Sequence, residues 1–396
     1  MEKSVQNRVK VVIAAVGLIL LSRNAVALVV SQLLINFPDQ STTTAQLVVT
    51  LIAGMCIFGA LLFGAMSTIL TKKNLAILSL LVIFGGGVLG VAFGDTSIAI
   101  PLTASALIGL GLGVLSPLLA AVISDYFHDP KERAGAVSLQ AVFVTIGGLL
   151  YPIIGGLLTA KYWTFNYYVF FISIPIVFIV VFLLPKGEVE PKTKTNTGEK
   201  IKIFTPALTC WLIEVFILCI CWITFNTNIT LVIRGFGFPN FVQLASYGLL
   251  AFSIGNLVAA LILGPACRKL GKSLMSYALG ITTIGLFCMY FAQSPDLLWL
   301  MYVAGALIGL GFGTFMPAGY VFIPQTVQRI TIPKALSFFV AANALGSFIN
   351  PYLITTTASM INDAIYTRFL LAGLLCLAVT IFGFATKKIK EVNANL

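Results

Sequence analysis

Charge is what this sequence has least of. Aspartate and glutamate number 13 in 396 residues, histidine occurs once, and all charged residues together make up 9% of the chain. A soluble domain carries about 25%. Hydrophobic residues reach 59%, and several runs of 18 or more residues pass with almost no charge, the length needed to cross about 30 Å of hydrocarbon. A hydrated globular surface is thereby excluded, and a polytopic helical membrane protein is expected. No CxxC pair occurs among Cys56, Cys210, Cys219, Cys221, Cys267, Cys288 and Cys376. These cysteines lie mostly inside apolar segments and read as small buried residues. A Walker loop and any catalytic constellation are missing too. Neither an enzyme, a metal site nor a bound cofactor is expected, and an ion gradient, most plainly that of protons, has to supply the energy.

What is present is repetition. Residues 104–117 read ASALIGLGLGVLSP and residues 304–317 read AGALIGLGFGTFMP. Downstream, Gly147 and Pro152 of the first half are echoed by Gly346 and Pro351 of the second. A repeat offset of half the chain length marks a duplicated protein, and in so apolar a chain it points to two parallel helical bundles. The GLGLG and GLGFG runs imitate a nucleotide-binding loop, but no strand precedes them, so close helix packing is the better reading.

Twelve apolar segments can be laid out: about 10–35, 45–70, 75–93, 98–124, 134–160, 167–185, 204–232, 241–264, 273–292, 297–324, 335–360 and 367–386. The first imitates a signal peptide, but no small-residue cleavage site follows and Ser22-Arg23 interrupts the run. It is expected to stay as the first membrane helix. Residues 186–203, charged and rich in Pro, Thr and Lys, read as a cytoplasmic linker between bundles at 1–185 and 204–396. All 24 basic residues but Arg23, Lys161, Arg234 and Arg368 fall on alternate connections, as the positive-inside rule requires of a chain with both termini cytoplasmic. The net charge of +11 therefore reports topology and does not point to nucleic acid. The expected fold is an all-α membrane protein with 12 transmembrane helices in two six-helix pseudo-symmetric bundles. Its expected place is the cell membrane, as a monomer.

Twelve helices in two repeats joined by a basic linker resemble the major facilitator superfamily. The stretch from Gly64 to Lys72-Lys73 is similar to the family's loop after the second helix, and the stretch from Gly264 to Lys272 to its partner in the second half. Both lack the usual acid, so the charge lock of that loop is expected to be missing. Gly147-Gly148-Leu-Leu-Tyr151-Pro152-Ile-Ile-Gly155-Gly156 is similar to the helix-five signature of proton-linked drug antiporters, with Tyr151 in place of a glycine. Arg23-Asn24-Ala25-Val26 resembles a stretch in cyanate-transporter-like anion carriers. The resemblance implies alternating access, with a small-molecule substrate and protons as partners in a lipid bilayer.

Two ionisable side chains lie deep within the segments, Arg23 in the first and Glu214 in the seventh. A charge at that depth costs roughly 2.5–3.5 kcal/mol on insertion scales, so it normally faces a partner or a water-filled cavity. In the family both helices line the central cavity, which would place both residues on the transport path. Glu214 is then a carrier of the coupled proton, and Arg23 either tunes it or binds an anionic substrate group in fork geometry. Trp211, Glu214, Leu218 and Phe225 share one helical face, and Tyr151, Tyr320 and Asn343 complete the expected site. Asp125, with Glu132 and Arg133, is expected to form an ion-paired gate at the inner face. Two functions follow: proton-coupled efflux of an amphipathic organic compound, or uptake or exchange of an organic anion held by Arg23.

Overall fold

Helix starts are written locally. The side chains of Ser41, Thr71 and Thr205 accept hydrogen bonds from the backbone N–H groups of Thr44, Asn74 and Leu208, and Pro206 follows Thr205 at the first helical position. Each cap satisfies a donor that has no partner inside its helix. The computed structural model describes residues 3–186, 204–328, 331–362, 364–387 and 389; the expected linker at 187–203 lies outside them. The described residues form helices and no strands. They fall into two compact units, residues 1–194 and 195–396.

In the first unit the helices are α1 (Lys3–Ile19), α2 (Val30–Asn36), α3 (Thr42–Met66), α4 (Lys72–Phe93), α5 (Ala99–Tyr126), α6 (Pro130–Lys161) and α7 (Ser173–Leu183). A 3₁₀ segment, Ser22–Val29, stands between α1 and α2, and another, Trp163–Ile172, precedes α7. The second unit holds α8 (Pro206–Gly235), α9 (Phe241–Leu270), α10 (Leu274–Phe291), α11 (Leu298–Phe322), α12 (Ile332–Asn350), α13 (Thr356–Ile361) and α14 (Ile365–Ala385). A π-helical turn at Pro351–Thr355 joins α12 to α13. Among the described residues eleven stretches are long and apolar enough to cross a membrane, and one of them, Phe241–Phe291, takes in the eighth and ninth sequence segments together.

The duplicated glycine stretch has the same task in each unit. On α5, Gly109 and Gly113 lie against the backbone carbonyls of Ile52 and Cys56 in α3, and Gly111 lies against Ser79 and Ile83 of α4. On α11, Gly309 and Gly313 meet Phe252 and Asn256 of α9, while Gly311 meets Ala278 and Thr282 of α10. Each repeat helix is clamped between two neighbours through alternate glycines. Small residues matter here because lipid tails are as apolar as the side chains, leaving close van der Waals contact to hold helices together.

The surface is inverted relative to a soluble protein. Phe182 is 74% exposed and Leu261 73%, whereas Gln46, Thr50, Asn166, Glu214 and Asn350 are fully buried. A large exposed apolar area of this kind fits lipid.

Candidate functional site

The first span is not the continuous helix that its hydropathy suggests. It loses α-helical form at Ser22–Val29, an eight-residue 3₁₀ run where three or four is the usual limit. Its supports come from two neighbours. Asn166 Nδ2 donates to the Ala25 carbonyl at 2.9 Å and to Thr159 Oγ1 at 2.8 Å. On α6, Gly147 packs on the Leu18 carbonyl and Gly155 on Ala25. The helix-five signature is thus the surface on which the interrupted span rests. Tyr151 is buried in the same contact with Ala25 and Val169, and its hydroxyl has no hydrogen-bond partner.

Arg23 sits in this interruption, half-buried. Its guanidinium interacts electrostatically with the thiol of Cys56 on α3. Among the described residues no ion pair and no hydrogen bond holds it. Three carboxylates of the first unit are engaged elsewhere. Lys72 Nζ lies 2.6 Å from Asp125 Oδ2, Gln6 Nε2 donates to Glu132 at 2.8 Å, and Tyr162 donates to Asp95 at 2.7 Å, which raises the tyrosine's proton affinity.

Those pairs correct two expectations. The loop after the second span lacks its own acid, yet Lys72 does form a charge lock, using Asp125 from the end of α5. The expected gate joins Asp125, Glu132 and Arg133 by ion pairing; in the structure Asp125 pairs with Lys72, Glu132 accepts from Gln6, and Arg133 is exposed on α6. His128 is exposed, as a loop histidine should be.

In the second unit α8 runs unbroken for 30 residues. Trp211, Glu214, Leu218 and Phe225 are all fully buried, because the face they share points into the unit's own helices. A Cβ at Gly383 of α14 would lie 3.2 Å from Glu214 Oε1 and 2.7 Å from the Ser276 hydroxyl of α10. Phe225 packs against Gly248 of α9 and Gly305 of α11. Two residues of the heptad that starts at Glu214 continue the α8–α14 seam. Cys221 donates to the Ala372 carbonyl at 3.3 Å, and Asn228 accepts from Arg368 Nη1 at 2.7 Å. Arg368, in the first turn of α14, is a buried cation, only 9% exposed.

Asn343 of α12 accepts from the Cys219 thiol at 2.9 Å. Tyr320 of α11 is exposed and meets Phe339 edge-on at 5.8 Å. Asn350 ties α12 to α8 through Ile220 O and Thr224 Oγ1, both at 2.7 Å; Gly346 packs there on the Phe216 carbonyl. The expected residues therefore form two groups. Arg23 and Tyr151 flank the interrupted span of the first unit, with Asp125 and Arg133 at the ends of its helices. Trp211 and Glu214 lie on α8 of the second with Asn343 of α12 against it, and Tyr320 meets Phe339 instead.

Sequence reasoning missed Trp222, Asn226 and Thr230, which run from beside Trp211 round α8 and away from Glu214. The signal was available as polar or amphipathic residues at i, i+4 and i+8, but the chosen face began at Trp211. Among the described residues no cluster of three or more His, Cys, Asp or Glu side chains has metal-binding geometry.

Comparison with known proteins adds the lineage. The model of the Major Facilitator Superfamily matches residues 12–251 and 242–395. An uncharacterized MFS-type transporter, YtbD, of Bacillus subtilis (strain 168) is 23% identical over 355 residues, covering 86% of each chain. The crystal structure of the nucleoside transporter NupG superposes with a TM-score of 0.76 at 14% identity, over 97% of this chain and 100% of that one. A D-xylose-proton symporter gives a TM-score of 0.73 at 16% identity, over 97% of this chain and 98% of that one.

Proposed function

The chain belongs to the Major Facilitator Superfamily, and from that premise we propose a gradient-driven carrier whose solute presents an anionic group to Arg23. It is a multi-pass protein of the plasma membrane. One observation carries the choice of solute: a guanidinium inside an interrupted span, half-buried, with no counter-ion among the described residues. A charge within the bilayer is retained where it has a partner or where it meets water and substrate, and broken helices are where such carriers bind solutes. The fork of an arginine matches a carboxylate or a phosphate in two parallel bonds.

In this reading the chain crosses the bilayer twelve times with both termini in the cytoplasm, as the placement of Lys and Arg supports. Glu214 takes up and releases the coupled proton. The similar structures are those of a nucleoside transporter and a D-xylose-proton symporter, a range that selects no solute for this chain. Export of amphipathic compounds is the second reading. It draws support from the helix-five signature, whose Gly147 and Gly155 make the close contact with the first span.

The test is transport and binding in proteoliposomes with Arg23→Gln and Arg23→Lys. The anion reading expects Arg23→Gln to lose organic-anion binding by about a hundredfold, the value of a charge-assisted pair of about 2–3 kcal/mol, with Arg23→Lys intermediate. Binding retained while proton coupling changes would favour the exporter and overturn the anion assignment.

A further inference from the structure

Trp222, Asn226 and Thr230 lie on a face of α8 used by neither Arg23 nor Glu214. The spacing sets them about 6 Å apart along the axis, each turned some 40° from the last. They are 3%, 2% and 0% exposed. Yet the Trp222 indole N–H, the Asn226 side-chain oxygen and the Thr230 hydroxyl have no hydrogen-bond partner. Other polar residues of the same helix show the contrast. Thr224 and Thr227 return their hydroxyls to the carbonyls of Ile220 and Ile223 at 2.9 Å, and Asn228 bonds the Thr224 carbonyl at 2.8 Å. That local bond is the ordinary resort of a threonine in a span, and Thr230 does not make it.

Unmet polar groups are costly anywhere in a protein interior, and intramembrane polar residues by default mark a solute path. Here three follow one line of one helix. The indole is also fixed. Phe252 of α9 stacks on it at 5.3 Å with an interplanar angle of 19°, and Phe312 of α11 lies 4.9 Å away. Its N–H therefore keeps one direction, beside a rim of aromatic carbon. The ionisable groups Glu214 and Arg368 belong to the α14 side of α8.

We infer that this face is a binding subsite for a planar, uncharged ring bearing an acceptor and a donor side by side, as a lactam or an aromatic carboxamide does. The acceptor takes the Trp222 N–H, the donor gives to the Asn226 oxygen, and Thr230 reads a further polar group one turn on. This names a chemical class for part of the solute, and to that extent it rests on the transport reading. The three residues that would hold it all belong to the second unit.

Purified full-length protein is titrated with nicotinamide, uracil and 2-pyridone by isothermal calorimetry. N,N-dimethylnicotinamide, which keeps the acceptor and lacks the donor, is the control. At least one of the three should bind saturably, and the dimethyl compound about tenfold more weakly than nicotinamide, the value of one hydrogen bond. Asn226→Leu and Trp222→Phe should each weaken binding about tenfold. Thr230→Val, which conserves shape and carries the test should Asn226→Leu fail to fold, should weaken it about threefold or more. The probes carry no anionic group, so a failure here and a failure of the anion assignment are separately visible. The inference is overturned if none of the three probes binds, or if Thr230→Val and the folded Asn226 or Trp222 variants bind as the unaltered protein does.

Discussion

A carboxylic acid sealed among helices depends on what little stands around it. Glu214 has a glycine opposite, Gly383, whose missing side chain lets Oε1 come up to α14, and the Ser276 hydroxyl beside that glycine. A change in charge at this point acts on the α8–α14 contact directly, because the seam continues through Cys221 and Asn228 to buried Arg368. Glu214→Gln keeps the shape and removes the titration. Gradient-driven accumulation should fall to background while exchange of solute across the membrane persists; a variant whose transport keeps its pH dependence would show that the proton is carried elsewhere. Arg23 and Glu214 were legible in the sequence because charges within apolar runs are so few. The burial of Arg368 was not, since it depends on Asn228, 140 residues away. The line through Trp222 was legible only as a spacing of i, i+4 and i+8, for a helix buried nearly all round offers little polar contrast from which to choose a face.

Elements in this protein are held by glycines, and that claim has a measurable consequence. A Cβ added at Gly109 would lie 2.5 Å from the Ile52 carbonyl oxygen and 2.8 Å from Met55 Cβ. Backbone cannot swing aside as a long side chain does, so α3 and α5 must separate. Gly109→Ala should cost about 1–3 kcal/mol, as overpacking does, and lower the thermal midpoint in detergent. Gly85 of α4 meets nothing within 4 Å. Gly85→Ala should leave the midpoint unchanged or raise it, by up to about 1 kcal/mol of helix propensity. Equal loss in both variants would mean that glycine serves flexibility here and not proximity. The repeat itself announced these contacts, since alternate glycines on a helix predict two close neighbours. The break at Ser22–Val29 left no such trace. Hydropathy stays high across it, and the bonds that support it come from Asn166 and α6, which sequence distance conceals.

At the scale of the whole molecule the number of crossings depends on one stretch. Phe241–Phe291 is continuous by hydropathy, 51 residues in all. As a single α-helix it would measure about 76 Å, more than twice the hydrocarbon thickness of about 30 Å. Gly271 resolves this: its φ of +52° belongs to the left-handed region that glycine enters without strain, and α9 ends at Leu270 while α10 starts at Leu274. Arg268, Lys269 and Lys272 gather at that break, and a connection so basic should face the cytoplasm. Asp95, on the connection between α4 and α5, should face outward. Single cysteines at Lys272 and at Asp95, placed in a cysteine-free background, can be reacted with a membrane-impermeant maleimide. Asp95→Cys should label in intact cells and Lys272→Cys only after permeabilisation. Labelling of both in intact cells would leave α9 and α10 without two separate crossings, and the even count that puts both termini inside would fail with them.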